Sequence, residues 1–162
     1  LLPVCQVLHI SGRLDTDWVA GAAKSLPQDL AARYHHHTYL HDMPRALVAA
    51  DLAVARAGAS TMGEFPAAGL PAVLVPYPHS GQHQLPNAEY MARNGAAQVL
   101  LDGELEKEMV PAILALLADE QTLDSMAEAT RAMARRDAAE AIAAELWQAA
   151  RRRSGEGTDV RP

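Results

Sequence analysis

Short apolar runs of strand length alternate with segments of helical periodicity along almost the whole chain. That alternation limits the fold more than any other feature. Residues 4–10 form an apolar run closed by Ser11-Gly12, which predicts a buried strand and a turn. Residues 15–33 place Trp18, Val19, Ala22, Leu26 and Leu30 at roughly helical spacing, with a break imposed by Pro27. The pattern then repeats, with strands expected at 36–40, 51–55, 72–75 and 97–101 and helices at 44–50, 60–68, 87–94 and 105–117. Residues 76–86 contain Pro76, Pro78, Gly81 and Pro86 and read as loop. Residues 122–152 are dominated by Ala, Glu, Arg, Met and Leu, which predicts one long helix or two. Residues 1–152 are expected to form one domain, and the polar residues 153–162 a disordered tail.

Strands that alternate with helices imply a parallel sheet covered on both faces. Right-handed crossovers make this a Rossmann-like, doubly wound α/β domain. A chain of 162 residues can bury a real core. Only 4% of the residues are aromatic, so that core must come from Ala, Leu, Val and Met. The formal net charge of -6 argues against a nucleic-acid binder, which would show a basic face, but it leaves room for a small anionic ligand at a locally positive site. Cys5 is the single cysteine, so no disulfide can form within the chain, which fits a reducing compartment. No run reaches the length of a transmembrane helix, and residues 1–4 lack the features of a signal peptide, so the chain reads as cytosolic.

In a doubly wound sheet, ligands sit beyond the carboxyl ends of the strands, which directs attention to the segments after residues 55 and 75. The first is Arg56-Ala57-Gly58-Ala59-Ser60-Thr61-Met62-Gly63-Glu64, a strand-to-helix turn. Gly58 permits a tight turn and close approach of a ligand to backbone. The unpaired N–H groups of the first helical turn suit a phosphate, and Glu64 could accept hydrogen bonds from the two hydroxyls of a ribose. Local spacing alone favours a capping box, with Thr61 at the cap and Glu64 three residues on; the two roles are compatible. Residues 69–76, Gly-Leu-Pro-Ala-Val-Leu-Val-Pro, are a turn and a buried strand. Residues 79–88, His-Ser-Gly-Gln-His-Gln-Leu-Pro-Asn-Ala, gather neutral donors and acceptors suited to sugar hydroxyls. His79 and His83 could begin a metal site, but no third ligand stands at persuasive spacing. Strand alternation puts His35 and His37 on one side and His36 on the other, an ordinary exposed strand start and not a metal cluster.

Taken together, residues 51–88 closely resemble the MurG family of glycosyltransferases. The resemblance is carried by Arg-x-Gly-Ala-x-Thr-x-x-Glu, then Gly-Leu-Pro-Ala, then Val-Pro-Tyr-Pro, then His83-Gln84 with Asn87-Ala88, and it extends to His9-Ile10-Ser11-Gly12, Tyr39-Leu40-His41-Asp42-Met43 and Gly95-Ala96-Ala97. Each element is weak alone; their order and spacing are specific. The resemblance implies a GT-B architecture of two Rossmann-like domains facing each other across a cleft, of which this chain resembles the C-terminal, donor-binding half. It implies that UDP-N-acetylglucosamine binds as a donor substrate, with no cofactor and no metal. By position, Glu64 would hold the ribose hydroxyls, the Leu40 backbone would read the uracil edge and Met43 would lie near the base. Ala59, Ser60 and Thr61 would sit beneath the diphosphate, His83 and Gln84 would contact the sugar, and Ser11 would face the nucleotide.

The implied reaction is inverting transfer of N-acetylglucosamine to undecaprenyl-diphospho-muramoyl-pentapeptide, at the inner face of the cell membrane. The family's Gly-Gly-Ser segment on the strand before the matched region has no counterpart here, nor does the glycine-rich loop of the N-terminal domain. The expectation is therefore a donor half without its first strand, without the N-terminal acceptor domain and inactive alone. Two other readings remain: the donor-binding subunit of another UDP-sugar glycolipid transferase, and a non-catalytic nucleotide-binding module that uses the Ala-rich C-terminal helix as a partner surface.

Overall fold

A computed structural model describes residues 1–79 and 83–153. The strands are β1 (Val7–Ile10), β2 (Tyr34–His37), β3 (Ala53–Ala55), β4 (Ala72–Leu74) and β5 (Ala97–Val99). The helices are α1 (Gly12–Ala23), α2 (Gln28–Ala31), α3 (Met43–Ala49), α4 (Thr61–Ala68), α5 (Gln84–Arg93), α6 (Leu105–Ala118), α7 (Glu120–Ala132) and α8 (Ala138–Arg153). The fold is α/β with all strand pairing parallel, as the alternation predicts.

The described strands form two sheets, β1-β2 and β3-β4-β5. A doubly wound sheet has the order 3-2-1-4-5-6. Leaving its first position unfilled divides it into a pair and a triplet with the connectivity seen here. β1 and β3 each stand at an edge of their sheet, and Leu8 and Ile10 of β1 and Val54 of β3 are exposed apolar residues on the sheet faces.

The core lies around β4, which is buried on both faces, as an apolar run in a central parallel strand requires. Ala72 and Leu74 face one cluster with Phe65 of α4 and Ala88 and Met91 of α5. Val73 and Val75 face the other, with Ile113 and Leu116 of α6. Each large side chain buried this way contributes about 1.5–3 kcal/mol relative to exposure. Two-sided burial leaves β4 no alternative register, so the loops at its carboxyl end start from a fixed point.

Several boundaries differ from the sequence reading. Residues 4–6 are not strand: the Leu1 carbonyl accepts from the N–H groups of Val4 and Cys5, closing a turn that apolarity alone does not reveal. β2 lies two residues earlier than expected, because Val7 pairs with Tyr34 and Ile10 with His37. α5 begins at Gln84, so Pro86 is helical; proline is tolerated in a first turn, where its missing N–H costs nothing. The C-terminal helical stretch is two helices. α7 is capped by Asp119, which accepts from the Thr122 hydroxyl and N–H, and those bonds hold its carboxyl below the usual range. α8 runs through Arg153; the expected tail beyond it lies outside the described residues.

Gly69 ends α4 at φ 68°, a left-handed position, and lets Leu70 N–H reach back to the Phe65 carbonyl at 3.0 Å before the chain enters β4. A Cβ there would lie 2.5 Å from Arg131 Cγ of α7. Gly69→Ala is expected to lower stability by about 1–3 kcal/mol through backbone strain and this clash. Adding Arg131→Ala should recover part of the loss in denaturant unfolding. An undiminished wild-type midpoint in Gly69→Ala would contradict this account.

Candidate functional site

The residues singled out from sequence all follow carboxyl ends of parallel strands. β1 leads to Ser11, β2 to Leu40 and Met43, β3 to residues 56–64, and β4 to His83 and Gln84.

The segment after β3 is held from two sides. Thr61, buried at the first position of α4, donates its hydroxyl to the Arg56 carbonyl at 3.1 Å. Asn87 of α5 donates its amide to the carbonyl of fully buried Ala57 at 3.0 Å. With these carbonyls engaged inward, the N–H groups of Ala59, Ser60 and Thr61 donate to no described residue. The helical bonds begin only with Met62 N–H to the Ala59 carbonyl and Gly63 and Glu64 N–H to the Ser60 carbonyl. Three unpaired N–H groups at a helix start, backed by the macrodipole, suit an anionic group.

The expected capping box is absent. Ser60, not Thr61, is the cap residue of α4, and it makes no side-chain cap bond. Thr61 is turned inward to Arg56, and Glu64 reaches no backbone N–H. Glu64 is exposed and lines a cavity of about 240 Å³ between α3 and α4, with Met43, Pro44, Leu47, Val48, Ala67 and Ala68. One carboxylate on an otherwise apolar wall suits a ligand with a flat apolar part and adjacent hydroxyls. Leu40 is half-buried three residues before Met43.

The loop after β4 is tied to the same region. The Gln84 side-chain oxygen accepts from Tyr77 N–H at 2.9 Å, leaving its amide N–H groups as donors. Arg56 lies over the Tyr77 ring at 5.2 Å and pairs with Asp102 at 2.5 Å. Its charge is thus partly neutralised. His83 is the exposed cap residue of α5, and the His79 ring stands edge-on to Tyr77 at 5.5 Å. Ser80, Gly81 and Gln82 lie outside the described residues.

The structure therefore brings Met43 and Glu64 into one cavity, a single helical turn from Ala59, Ser60 and Thr61, and braces the start of α5 against them. It makes no hydrogen bond between Ser11 and α4. Ser11 instead contacts His36 and Gly12. Sequence reasoning missed the bracing roles of Arg56, Tyr77 and Asn87, which depend on contacts across 19 to 46 residues.

A model of the glycosyltransferase family 28 C-terminal domain matches residues 4–142. The chain belongs to glycosyltransferase family 28, as its C-terminal domain. Within that family it is 43% identical over 164 aligned residues, covering 88% of the chain, to the UDP-N-acetylglucosamine--N-acetylmuramyl-(pentapeptide) pyrophosphoryl-undecaprenol N-acetylglucosamine transferase of Roseiflexus sp. (strain RS-1). It is 39% identical over 136 residues, 83% of the chain, to the enzyme of the same description from Bacillus subtilis (strain 168). The chain spans 37% of the length of each of these relatives. Among solved structures, MurG of Acinetobacter baumannii superposes with a TM-score of 0.75 at 27% identity, over 88% of this chain and 41% of that one. CalG4, the calicheamicin glycosyltransferase, superposes with a TM-score of 0.60 at 25% identity, over 93% of this chain and 35% of that one. The fold is thus shared with glycosyltransferases of different descriptions, while the two curated relatives named here share one.

If Asn87 braces the loop, Asn87→Ala leaves the Ala57 carbonyl buried without a partner. Equilibrium unfolding should show a loss of about 1–3 kcal/mol. A loss under about 0.5 kcal/mol, the size of an ordinary surface change, would show that the brace is dispensable.

Proposed function

We propose that this family 28 domain binds UDP-N-acetylglucosamine as the donor half of an inverting glycosyltransferase, and that the acceptor in the whole enzyme is undecaprenyl-diphospho-muramoyl-pentapeptide. The observation that carries the reading is the placement of Glu64 and Met43 in one cavity, one turn from the open N–H groups of Ala59, Ser60 and Thr61. A nucleoside diphosphate needs these features together. Its ribose hydroxyls donate to a carboxylate, its base lies on an apolar surface, and its phosphates accept from fixed N–H groups. The descriptions of the relatives, which name this transfer, support the same donor and acceptor.

In the proposed reaction an acceptor hydroxyl oxygen forms a bond to the anomeric carbon as the bond from that carbon to the diphosphate oxygen breaks. The hydroxyl proton leaves to a base, and UDP departs. Negative charge grows on the diphosphate, and the start of α4 supplies preoriented N–H dipoles there without reorganisation. His83 and Gln84 would orient the sugar; Gln84, with its oxygen held by Tyr77, presents donors to hydroxyls. The Leu40 backbone would read the uracil edge. UDP-N-acetylglucosamine is a substrate in this scheme, and neither a cofactor nor a metal is assigned. No described helix is long and apolar enough to cross a membrane. The whole enzyme would meet its lipid acceptor as a peripheral protein at the cytoplasmic face.

Calorimetric titration of the chain with UDP-N-acetylglucosamine, beside Glu64→Ala, tests the donor reading. The variant should bind more weakly by about 1–3 kcal/mol, the range for losing hydrogen bonds to a charged group. Equal affinity in the two proteins, or no binding by a folded wild-type chain, would refute it.

A further inference from the structure

One arginine ties together the carboxyl ends of β3, β4 and β5. Arg56 follows β3 directly, and Asp102 stands three residues past β5. Arg56 Nη1 carries two N–H bonds; it donates to Asp102 Oδ1 at 2.5 Å and to the Val75 carbonyl at 3.4 Å. The same guanidinium lies over the Tyr77 ring, 5.2 Å from its centre. Val75 and Tyr77 flank Pro76, so Arg56 grips the chain past β4 on both sides of a residue whose φ is fixed by its ring. Val75 is held a second time by its own N–H, which donates to the Ala55 carbonyl at 2.9 Å. These contacts together set where the Tyr77 N–H stands.

That N–H donates to the Gln84 side chain at 2.9 Å. The direction of this bond is settled by chemistry: a backbone N–H only donates, and of the two ends of a carboxamide only the oxygen accepts. The flipped amide, with its carbonyl turned the other way, would leave the Tyr77 N–H against an NH2 group. Gln84 lies in the first turn of α5, and Asn87, one turn along the same helix, is bonded to the Ala57 carbonyl. The Gln84 amide is thus one helical turn from a contact with the loop that carries Ala59, Ser60 and Thr61. The Arg56 and Asp102 side chains are 45% and 40% exposed, and an exposed ion pair favours one arrangement over others by about fivefold at most. Its effect on overall folding is therefore small, and its effect on the orientation of one amide can be of the same size as a hydrogen bond made by that amide.

We propose that Asp102 and Arg56 are positioning residues for the sugar end of the donor: they keep the Tyr77 N–H on the Gln84 oxygen, so that Gln84 meets a sugar oxygen only as a hydrogen-bond donor. The proposal rests on the donor-binding reading above, in which Gln84 contacts the sugar. UDP lacks that sugar, so the effect falls on the preference for UDP-N-acetylglucosamine over UDP.

NMR titrations of the chain with both ligands give that preference as a ratio of affinities. Wild type should prefer UDP-N-acetylglucosamine by about three- to tenfold, the effect of one good hydrogen bond. Gln84→Ala should abolish the preference. Gln84→Glu should abolish it too, because the carboxylate still accepts from Tyr77 but has no N–H to donate. Asp102→Asn should reduce it about two- to fivefold, and Asp102→Glu, which keeps the charge, should restore it. Asp102→Asn added to Gln84→Ala should cause no further loss, because Asp102 acts through Gln84. Without ligand, the Tyr77 amide proton should move upfield in Gln84→Ala, as for a lost hydrogen bond, and less far in the same direction in Asp102→Asn. A Tyr77 amide unmoved by Asp102→Asn, a preference kept by Gln84→Glu, or a further loss in the double variant would overturn the positioning role and leave the nucleotide reading intact. So would a gain of more than about twofold in UDP affinity in Asp102→Asn, since Arg56 would then serve the diphosphate directly. Equal binding of both ligands by wild type would overturn the sugar contact. Absence of UDP binding by the folded wild type would overturn the donor reading and this proposal with it.

Discussion

The two-sided burial of β4 is the constraint on which the rest of the structure depends. Ala72 and Leu74 are locked into one apolar cluster and Val73 and Val75 into the other, so a shift by one residue would reverse every contact of the strand. β3 and β5 are aligned by pairing with it, Ala53 with Ala72 and Ala72 with Ala97. The carboxyl ends of β3 and β4 therefore lie at adjacent, fixed positions. From there Asn87 and Thr61 can reach the carbonyls of the neighbouring loop, and Arg56 can reach Tyr77. The apolar core thus sets the geometry of polar groups that lie outside it.

That geometry sorts backbone groups by direction. The carbonyls of Arg56 and Ala57 are paired with Thr61 and Asn87; the N–H groups of Ala59, Ser60 and Thr61 donate to no described residue. An acidic chain can in this way present local positive potential without a free basic side chain, since Arg56 is engaged by Asp102. Glu64, free of any capping duty, then adds an acceptor one turn along the same helix. Donors at the helix start, a carboxylate one turn along and an apolar wall beside it are the groups that the phosphate, ribose and base of the proposed nucleotide would need.

Much of this was legible in the sequence because it depends on local chemistry. Pro27 divides α1 from α2, the apolar run at 72–75 is the buried strand, and Gly69 occupies the left-handed position that ends α4. Met43 and Glu64, singled out on resemblance, share a cavity. What was not legible depends on distant partners. The apolar run at 4–10 reads as strand throughout, but residues 4–6 are held in a turn by the Leu1 carbonyl. The start of β2 is set by pairing with β1, not by its own His-rich sequence. The capping box was a sound local expectation, displaced because Thr61 found a better-buried partner in the Arg56 carbonyl. No pattern in one sequence could pair Asn87 with Ala57 or His36 with Ser11.

Backbone amide and methionine-methyl NMR of the chain titrated with UDP tests the central claim most directly. The amides of Ala59, Ser60 and Thr61 and the methyl of Met43 should shift together and saturate with one affinity. Shifts centred instead on Trp18 and Tyr34, which line the separate cavity beneath α1, or a folded chain whose spectrum UDP leaves unchanged, would contradict the assignment of the site to the start of α4.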